Sequence, residues 1–204
     1  MTSHPLDTPT PDAQVPGAPG APPRPIRSLL IFCGSRTGQD SRHAALAAAV
    51  GRLLAQRGVT LIYGGGALGL MGEVGRACIA GQGAAQGVIP RFLKDREVAE
   101  PLCTDMTVVD SLHSRKTVMF ERADAVLALP GGLGTLDELV EILSWRNLRL
   151  HDRPVWLLSD SGFWQPFTAL LHHMVAAGFS APDTLSHLES LESIDALAAR
   201  LPRP

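Results

Sequence analysis

The 204-residue sequence lacks the signatures of several common classes of nucleotide enzyme and metalloprotein. Neither GxxxxGKS nor GxxxxGKT is present, so a Walker-type ATPase or kinase would lack its phosphate-binding lysine. There is no HExxH motif, and the adjacent His172 and His173 indicate a helix face partly in water rather than a zinc site. The only lysines are Lys94 and Lys116, and neither lies in a pyridoxal signature, so the sequence gives little support to a pyridoxal Schiff base.

An excess of charge, paired cysteines and long apolar runs are also missing. The formal net charge is −2 and no basic tract occurs, which argues against nucleic acid as a partner. Cys33, Cys78 and Cys103 are widely spaced and form no CxxC pattern, so we expect small buried residues in a reducing cytoplasm. No run of about 18 apolar residues and no secretory signal is present, and we therefore expect neither membrane insertion nor export.

The composition changes sharply near residue 25. Eight prolines mixed with glycine and alanine occupy residues 1–25, and such a segment sustains neither a helix nor a strand ladder. The sequence therefore predicts a disordered tail over residues 1–25 and one globular domain over residues 26–204, where the apolar content suffices for a single core.

Strand-like and helical patterns alternate along the predicted domain. Predicted strands are Leu29–Cys33, Val59–Tyr63, Ala85–Ile89, Met106–Val109, Ala123–Leu129, Pro154–Leu158 and a weak one at Leu185–Leu191. Predicted helices are Ser41–Arg57, Gly69–Ala80, Leu112–Arg122, Leu136–Leu148, Phe163–Ala176 and Ile194–Leu201. Repeated βα units predict a doubly wound, mainly parallel, Rossmann-like α/β fold that binds ligands at the carboxyl ends of its strands.

The most informative segment is a glycine-rich loop between a strand and a helix. Gly131, Gly132 and Gly134 leave backbone N–H groups open to an anion, and Thr135 adds a hydroxyl. The positive end of the following helix dipole would also favour a phosphate. Asp137 and Glu138 are predicted in the first turn of that helix, where compensation of the dipole is the alternative explanation for their charge.

Two other glycine clusters follow predicted strands. Gly34 and Ser35 end the first strand, where they suit either the close approach of a ligand or a tight turn. The run from Gly64 to Gly69 formally matches the GxGxxG dinucleotide motif. It follows the second strand, however, and no acidic residue lies about 20 positions further on, so an NAD dehydrogenase is a poor interpretation.

A second segment whose side chains could contact a ligand lies on the predicted helix Leu112–Arg122. Helical spacing puts Arg115 and Met119 on one side, where a guanidinium and a thioether could face one ligand. The alternative is a solvated basic pair, Arg115 and Lys116, beside ordinary core residues.

The nine residues from Pro130 to Glu138 resemble the PGGxGTxxE signature of the LOG family, the cytokinin riboside 5'-monophosphate phosphoribohydrolases, which were long labelled as lysine decarboxylases. The resemblance extends from about Ile26 to Leu201. Further landmarks fall in the family's order: Phe32-Cys33-Gly34-Ser35, Tyr63-Gly64-Gly65-Gly66, Gly69-Leu70-Met71-Gly72, Val88-Ile89-Pro90, and His113-Ser114-Arg115-Lys116 with Met119.

This resemblance implies hydrolysis of the N-glycosidic bond of a nucleoside 5'-monophosphate, with Arg115 and Glu138 as the catalytic pair. The glutamate would stabilise an oxocarbenium-like sugar and orient or deprotonate water, and the arginine would act as a fixed charge. The scheme needs no metal or cofactor. Substrate-contacting positions implied by the motif or by matching family positions are Gly131, Gly132, Leu133, Gly134, Thr135, Leu136, Asp137, Glu97, Lys116 and Ser144.

Several questions stay open at this level. Leu112, Asp137 and Arg36 depart from common family residues, and the choice between AMP and a cytokinin ribotide is not determined. A molybdenum-cofactor carrier has a similar architecture and glycine loop, and a nucleotide sensor would bind without turnover. Family members are commonly homodimers, so we expect a homodimer here.

Overall fold

The computed structural model describes residues 25–97 and 103–203, so the predicted tail up to residue 24 lies outside the described residues. Seven strands form one sheet in which every pairing is parallel. In chain order the strands are β1 (Ser28–Phe32), β2 (Thr60–Tyr63), β3 (Ala85–Pro90), β4 (Asp105–Val109), β5 (Ala125–Ala128), β6 (Val155–Leu158) and β7 (Glu189–Leu191). Their order in the sheet is β4-β3-β2-β1-β5-β6-β7, which confirms the doubly wound α/β prediction.

Helices connect successive strands. They are α1 (Ser41–Arg57), α2 (Gly69–Ala80), α3 (Arg91–Glu97), α4 (Leu112–Glu121), α5 (Leu133–Asn147), α6 (Gln165–Ala176) and α7 (Ile194–Ala198), with a 3-10 helix at Pro182–His187. None of the described helices is both long and apolar enough to cross a bilayer.

The central strand β1 supplies both cores because successive side chains of a strand point to opposite faces. Leu29 and Ile31 pack with residues of α1 and α2, whereas Leu30 and Phe32 pack with residues of α4 and α5. Both faces are covered, which explains why the strand is a continuous apolar run.

The order of the strands reverses beside β1. From β1 the chain winds outward through β2, β3 and β4, and it then returns to β5 on the other side of β1. In doubly wound sheets this reversal opens a crevice at the carboxyl ends of the two central strands. The backbone N–H of Gly34, just after β1, donates to the carbonyl of Pro130, just after β5, at 3.0 Å and joins the two strand ends.

Several sequence predictions need correction, among them the last helix, which ends at Ala198 rather than Leu201. The helix after the glycine loop begins at Leu133, three residues before the predicted start, and α6 begins at Gln165 rather than Phe163. The weak strand predicted at Leu185–Leu191 contains only β7, because Pro182 starts a 3-10 helix that runs to His187. Helix α3 was not predicted, since its sequence RFLKDRE has no apolar periodicity.

The three cysteines are free, as expected; Cys33 and Cys78 are buried and Cys103 is partly exposed.

The loop between α5 and β6 carries a histidine held in one protonation state. His151 Nε2 donates to the carbonyl of Ile142 at 2.9 Å, and its Nδ1 accepts from the backbone N–H of Arg153 at 3.2 Å. Because one ring nitrogen must donate and the other must accept, these bonds require neutral imidazole. Burial lowers the pKa of His151, and the nearby charges of Arg146 and Arg153 act in the same direction.

We predict that the free energy of unfolding decreases as the pH falls through about 6.5, the ordinary pKa of histidine. The unfolded chain takes up a proton there, whereas His151 stays neutral in the fold until a lower pH. Chemical denaturation between pH 8 and pH 5.5 measures the slope, and His151→Gln keeps a donor and an acceptor without the titration. An equal slope in both proteins would show that His151 does not contribute.

Candidate active site

A cavity of about 750 Å³ opens at the crevice formed by the carboxyl ends of β1 and β5. It is lined by Cys33, Gly34, Ser35, Arg36, Thr37, Gly38, Gln39, Asp40, His43, Leu70, Met71, Arg115, Pro130, Gly131, Gly132, Leu133, Gly134, Thr135, Glu138 and Phe163. This is the size and position expected of a small-molecule site in a doubly wound sheet.

The N-terminus of α5 forms one wall of the cavity. Its N-cap is Gly132, and no side chain caps the helix. The first-turn N–H groups of Leu133, Gly134 and Thr135 therefore have no intrahelical partner and carry the positive end of the helix dipole. A Cβ at Gly132 or Gly134 would meet no protein atom within 4 Å, so packing alone does not require glycine there. These positions leave room for an anion, and a phosphate fits the exposed amides.

Gly131 has a different role from the other glycines of the loop. A Cβ at this position would lie 2.1 Å from the hydroxyl oxygen of Thr135, which is itself buried. Glycine is therefore needed for the loop to close onto the first turn of α5. This contact positions the backbone of the loop at the cavity.

Arg115 lies on α4 and is buried, with only 7% of its surface exposed. Its Nε donates to the carbonyl of Val88 at 3.0 Å, and its Nη2 donates to the carbonyl of Gly64 at 3.1 Å. These acceptors offset part of the cost of burying a guanidinium, which stays protonated at any working pH. The side chain is therefore a fixed positive charge at the cavity.

The position of the Arg115 side chain explains why the first residue after β2, Gly64, is a glycine. A Cβ at Gly64 would lie 1.9 Å from Nη2 of Arg115, so no larger residue fits while the guanidinium is in place. This supports the sequence-based conclusion that the formal GxGxxG match is not a dinucleotide site. The start of α4 is also well defined, because Ser111 and Ser114 form a reciprocal capping box immediately before Arg115.

Glu138 lines the same cavity from the second turn of α5. The helix has no acidic residue in its first turn, so compensation of the dipole, which falls off within one turn, does not explain this carboxylate. Burial raises the pKa of the Cys33 thiol well above its usual range; the charge of Glu138 adds to the increase and that of Arg115 opposes it. Both charges therefore act at the end of β1, and Cys33 stays a thiol rather than a nucleophile.

The structure brings together most of the predicted site. Gly34, Ser35, Arg115, Glu138 and the loop from Gly131 to Thr135 all line the cavity. The remaining predicted positions are Glu97, Lys116, Met119, Leu136, Asp137 and Ser144, and all of these except Glu97 lie outside the lining of the cavity in the described structure. Glu97 ends α3, and its side chain is outside the described part of the structure.

Each of the other five has different neighbours. Met119 is buried in the core on the α4 side of the sheet and does not line the cavity with Arg115. The hydroxyl of Ser144 donates to the carbonyl of Val140 on its own helix at 2.8 Å. Lys116 pairs with Asp137, and neither residue lines the cavity; Leu136 is partly buried beside the loop.

Part of the cavity wall was not predicted. Residues 36–40 of the loop after β1 and His43 in the first turn of α1 line it together with Phe163 after β6. His43 Nε2 lies 3.1 Å from the hydroxyl oxygen of Ser161, and its ring meets that of Phe163 edge-on at 5.7 Å. These residues follow the carboxyl ends of β1 and β6, and that position in a parallel sheet is the signal that could have indicated them.

Comparison with known proteins places these features in a family. A family model described as "Possible lysine decarboxylase" matches residues 71–201. The cytokinin riboside 5'-monophosphate phosphoribohydrolase of Rhodococcoides fascians is 36% identical over 205 residues, with 100% of both chains covered. The chain belongs to the LOG family. The rice enzyme LOG is 41% identical over 158 residues, which cover 78% of this chain and 65% of the rice protein. The chain thus spans slightly less than two thirds of the rice relative.

Solved structures share the fold of this LOG-family chain at lower identity. The molybdenum cofactor binding protein of Rippkaea orientalis has a TM-score of 0.62 at 22% identity and covers 86% of this chain and 94% of its own. The carrier protein of Chlamydomonas reinhardtii has a TM-score of 0.65 at 18% identity, with 86% and 95% covered. These likenesses establish the architecture and do not separate a carrier from an enzyme.

The lysine decarboxylase description of the family model does not fit the site. A pyridoxal enzyme needs a lysine at its cofactor, and neither Lys94 nor Lys116 lines the cavity. Burial alone would lower the pKa of Lys116, but its ion pairs with Glu141 and Asp137 raise it above its ordinary value. A lysine held in its charged form is a poor nucleophile.

We predict that Gly64→Ala lowers the free energy of unfolding by about 2 kcal/mol or more, because the new Cβ displaces the guanidinium and leaves buried carbonyls without donors. Gly132→Ala is the matched control, since its Cβ meets no protein atom within 4 Å. Urea denaturation of both variants measures the difference. Equal losses would show that Arg115 is not held as described.

Proposed function

We propose that this LOG-family protein hydrolyses the N-glycosidic bond of a nucleoside 5'-monophosphate and releases a free base and ribose 5-phosphate. The observation that carries the proposal is the convergence of three groups on one cavity. Arg115 comes from α4, Glu138 from α5, and the uncapped N-terminus of α5 lies between the strand end and that carboxylate. Relatives named as cytokinin riboside 5'-monophosphate phosphoribohydrolases support this reaction.

The substrate phosphate would bind the first-turn amides of α5. Its negative charge is favoured by the helix dipole and by the N–H groups of Leu133, Gly134 and Thr135. This binding is remote from the bond that breaks, so it can hold the sugar in place for reaction. Glu138 is one turn further along the same helix, which brings a carboxylate near the anomeric carbon.

The chemical step follows from these charges. As the bond between the base nitrogen and the anomeric carbon breaks, the bonding electrons leave with the base and positive charge develops on the sugar ring. The carboxylate of Glu138 stabilises that charge and takes a proton from the attacking water, whose oxygen bonds to the anomeric carbon. The departing base takes up one proton from solvent and Glu138 later returns its proton to solvent, so the net change is the addition of one water molecule across the bond. Arg115 keeps its charge throughout and orients the reacting groups.

Both AMP and a cytokinin ribotide are candidate substrates in this proposal. AMP and a cytokinin ribotide share the phosphate and ribose that these groups recognise, and their difference lies in the purine substituent. A carrier without turnover is the competing function, because the solved carriers have the same fold. The presence of both Arg115 and Glu138 on one cavity favours hydrolysis, since a carrier has no need of both.

We predict that the purified protein releases free base from AMP or isopentenyladenosine monophosphate, and that Glu138→Gln lowers kcat about 100-fold or more because it removes the charge while keeping the shape. Chromatography measures base release, and calorimetry with ribose 5-phosphate measures binding, which should change little. Glu121→Gln, an exposed change at the end of α4, is the control. Binding without base release by the parent protein would favour a carrier.

The homodimer expected from the resemblance is also part of the proposal. Large apolar side chains are exposed along α4 and α5, at Leu112, Leu133 and Val140, and beyond α5 at Leu148 and Leu150. Helix faces of this kind commonly become buried in a second copy of the chain. A reducing cytoplasm stays our prediction for its location, in keeping with the three free thiols.

We predict a mass near twice the 21.7 kDa of one chain in light scattering at micromolar concentration. Val140→Lys should shift the protein toward a monomer, because a charge on a buried apolar face is costly. Leu170→Lys, which alters an exposed leucine of α6, should leave the mass unchanged. A monomeric parent protein would contradict the dimer.

A further inference from the structure

The two helices that carry the catalytic pair each place a second charged residue beside it. Lys116 follows Arg115 on α4, and Asp137 precedes Glu138 on α5. One member of each pair lines the cavity, whereas the other does not. The members outside the cavity face each other across the two helices, which suggests a role other than contact with a ligand.

Lys116 joins α4 to α5 through two carboxylates. Its Nζ lies 2.6 Å from Oε2 of Glu141 and 3.1 Å from Oδ2 of Asp137. The side chains of Lys116 and Glu141 are only 15% and 23% exposed, whereas that of Asp137 is 69% exposed. Solvent screens an exposed ion pair strongly and a partly buried one much less, so the bond to Glu141 is the stronger link.

The protonation of Lys116 agrees with this arrangement. Burial acts to lower its pKa, yet the ion pairs with both carboxylates outweigh burial and the pKa is raised. Because the lysine pKa is raised, the ammonium is fully charged at neutral pH, and as the pH rises its contribution to the ion pair is lost only in strong alkali.

The link lies at the cavity end of the helix pair. Arg115 is itself tied to the sheet through the carbonyls of Val88 and Gly64. At the other end of α4, Phe120 meets Trp145 of α5 edge-on, with ring centroids 5.3 Å apart. With the far end packed in this way, a change at Lys116 would act mainly on the cavity end of α5, where Glu138 lies.

We propose that Lys116 is a positioning residue that, chiefly through Glu141, sets the separation between Arg115 and Glu138. The proposal rests on the hydrolysis proposed above and deepens it. It differs from the direct contact with substrate that the family resemblance implies for this lysine. Displacement of a catalytic group by about 1 Å can cost about 100-fold in rate, so a small shift of α5 would be measurable.

Glu141→Gln separates the two roles because it breaks the link without touching Lys116. Steady-state release of adenine from AMP should show kcat reduced about 10- to 100-fold with KM within about threefold of the parent value. Lys116→Met should behave alike, and Lys116→Arg, which retains the charge, should restore most of kcat. Glu121→Gln on α4 is the matched control and should behave as the parent.

The outcomes are distinct. If the parent protein releases no base, the proposed function fails and the positioning role fails with it. If the parent is active and Glu141→Gln keeps its full kcat, positioning alone is overturned. A higher KM for Lys116→Met, with Glu141→Gln normal, would show direct contact instead. Calorimetry with ribose 5-phosphate and melting curves confirm that each variant is folded, so that a lower kcat reports positioning.

Discussion

The burial of the Arg115 guanidinium is the constraint on which the rest of the site depends. A charged group removed from water must be given acceptors, and here they are backbone carbonyls at Val88 in β3 and Gly64 after β2. Their positions require the parallel pairing of those strands, a glycine at residue 64, and a helix α4 that begins at a defined residue. The capping box of Ser111 and Ser114 supplies that last condition. The sheet, the glycine at residue 64 and the start of α4 together keep the guanidinium of Arg115 in its buried position.

The second wall of the cavity supplies complementary charges. The uncapped N-terminus of α5 carries the positive end of the helix dipole, which favours an anion, while Glu138, one turn later, provides a negative charge. In the proposed reaction, one helix therefore carries both the amides that bind the phosphate and the carboxylate that acts on the sugar. The reversal of strand order between β1 and β5 creates the space in which these groups meet. The same architecture in molybdenum-cofactor proteins shows that the fold alone does not determine chemistry, so the function rests on the side chains.

Local patterns in the sequence predicted much of this arrangement. Buried strands are apolar runs, and the glycine loop follows one of them, so the fold class and the position of the loop could be predicted from local patterns. The candidate pair Arg115 and Glu138 came from the resemblance to the LOG family, because spacing alone left Arg115 open to interpretation as a solvated base. The start of α5 was missed because Leu133 and Gly134 look like loop residues, although the first turn of a helix tolerates them. Contacts between residues that are distant in the sequence could not be predicted. Arg115 and Gly64 are 51 positions apart, and Lys116 and Asp137 are 21 apart. Nothing in local spacing indicates which carbonyl or carboxylate each cation meets.

The crystal structure of Glu138→Gln with bound AMP tests the central claim most directly, since the variant should bind substrate without consuming it. The account predicts the phosphate on the amides of Leu133, Gly134 and Thr135, with the anomeric carbon between residue 138 and the guanidinium of Arg115. A phosphate bound elsewhere in the cavity, or a ribose turned away from both side chains, would contradict it.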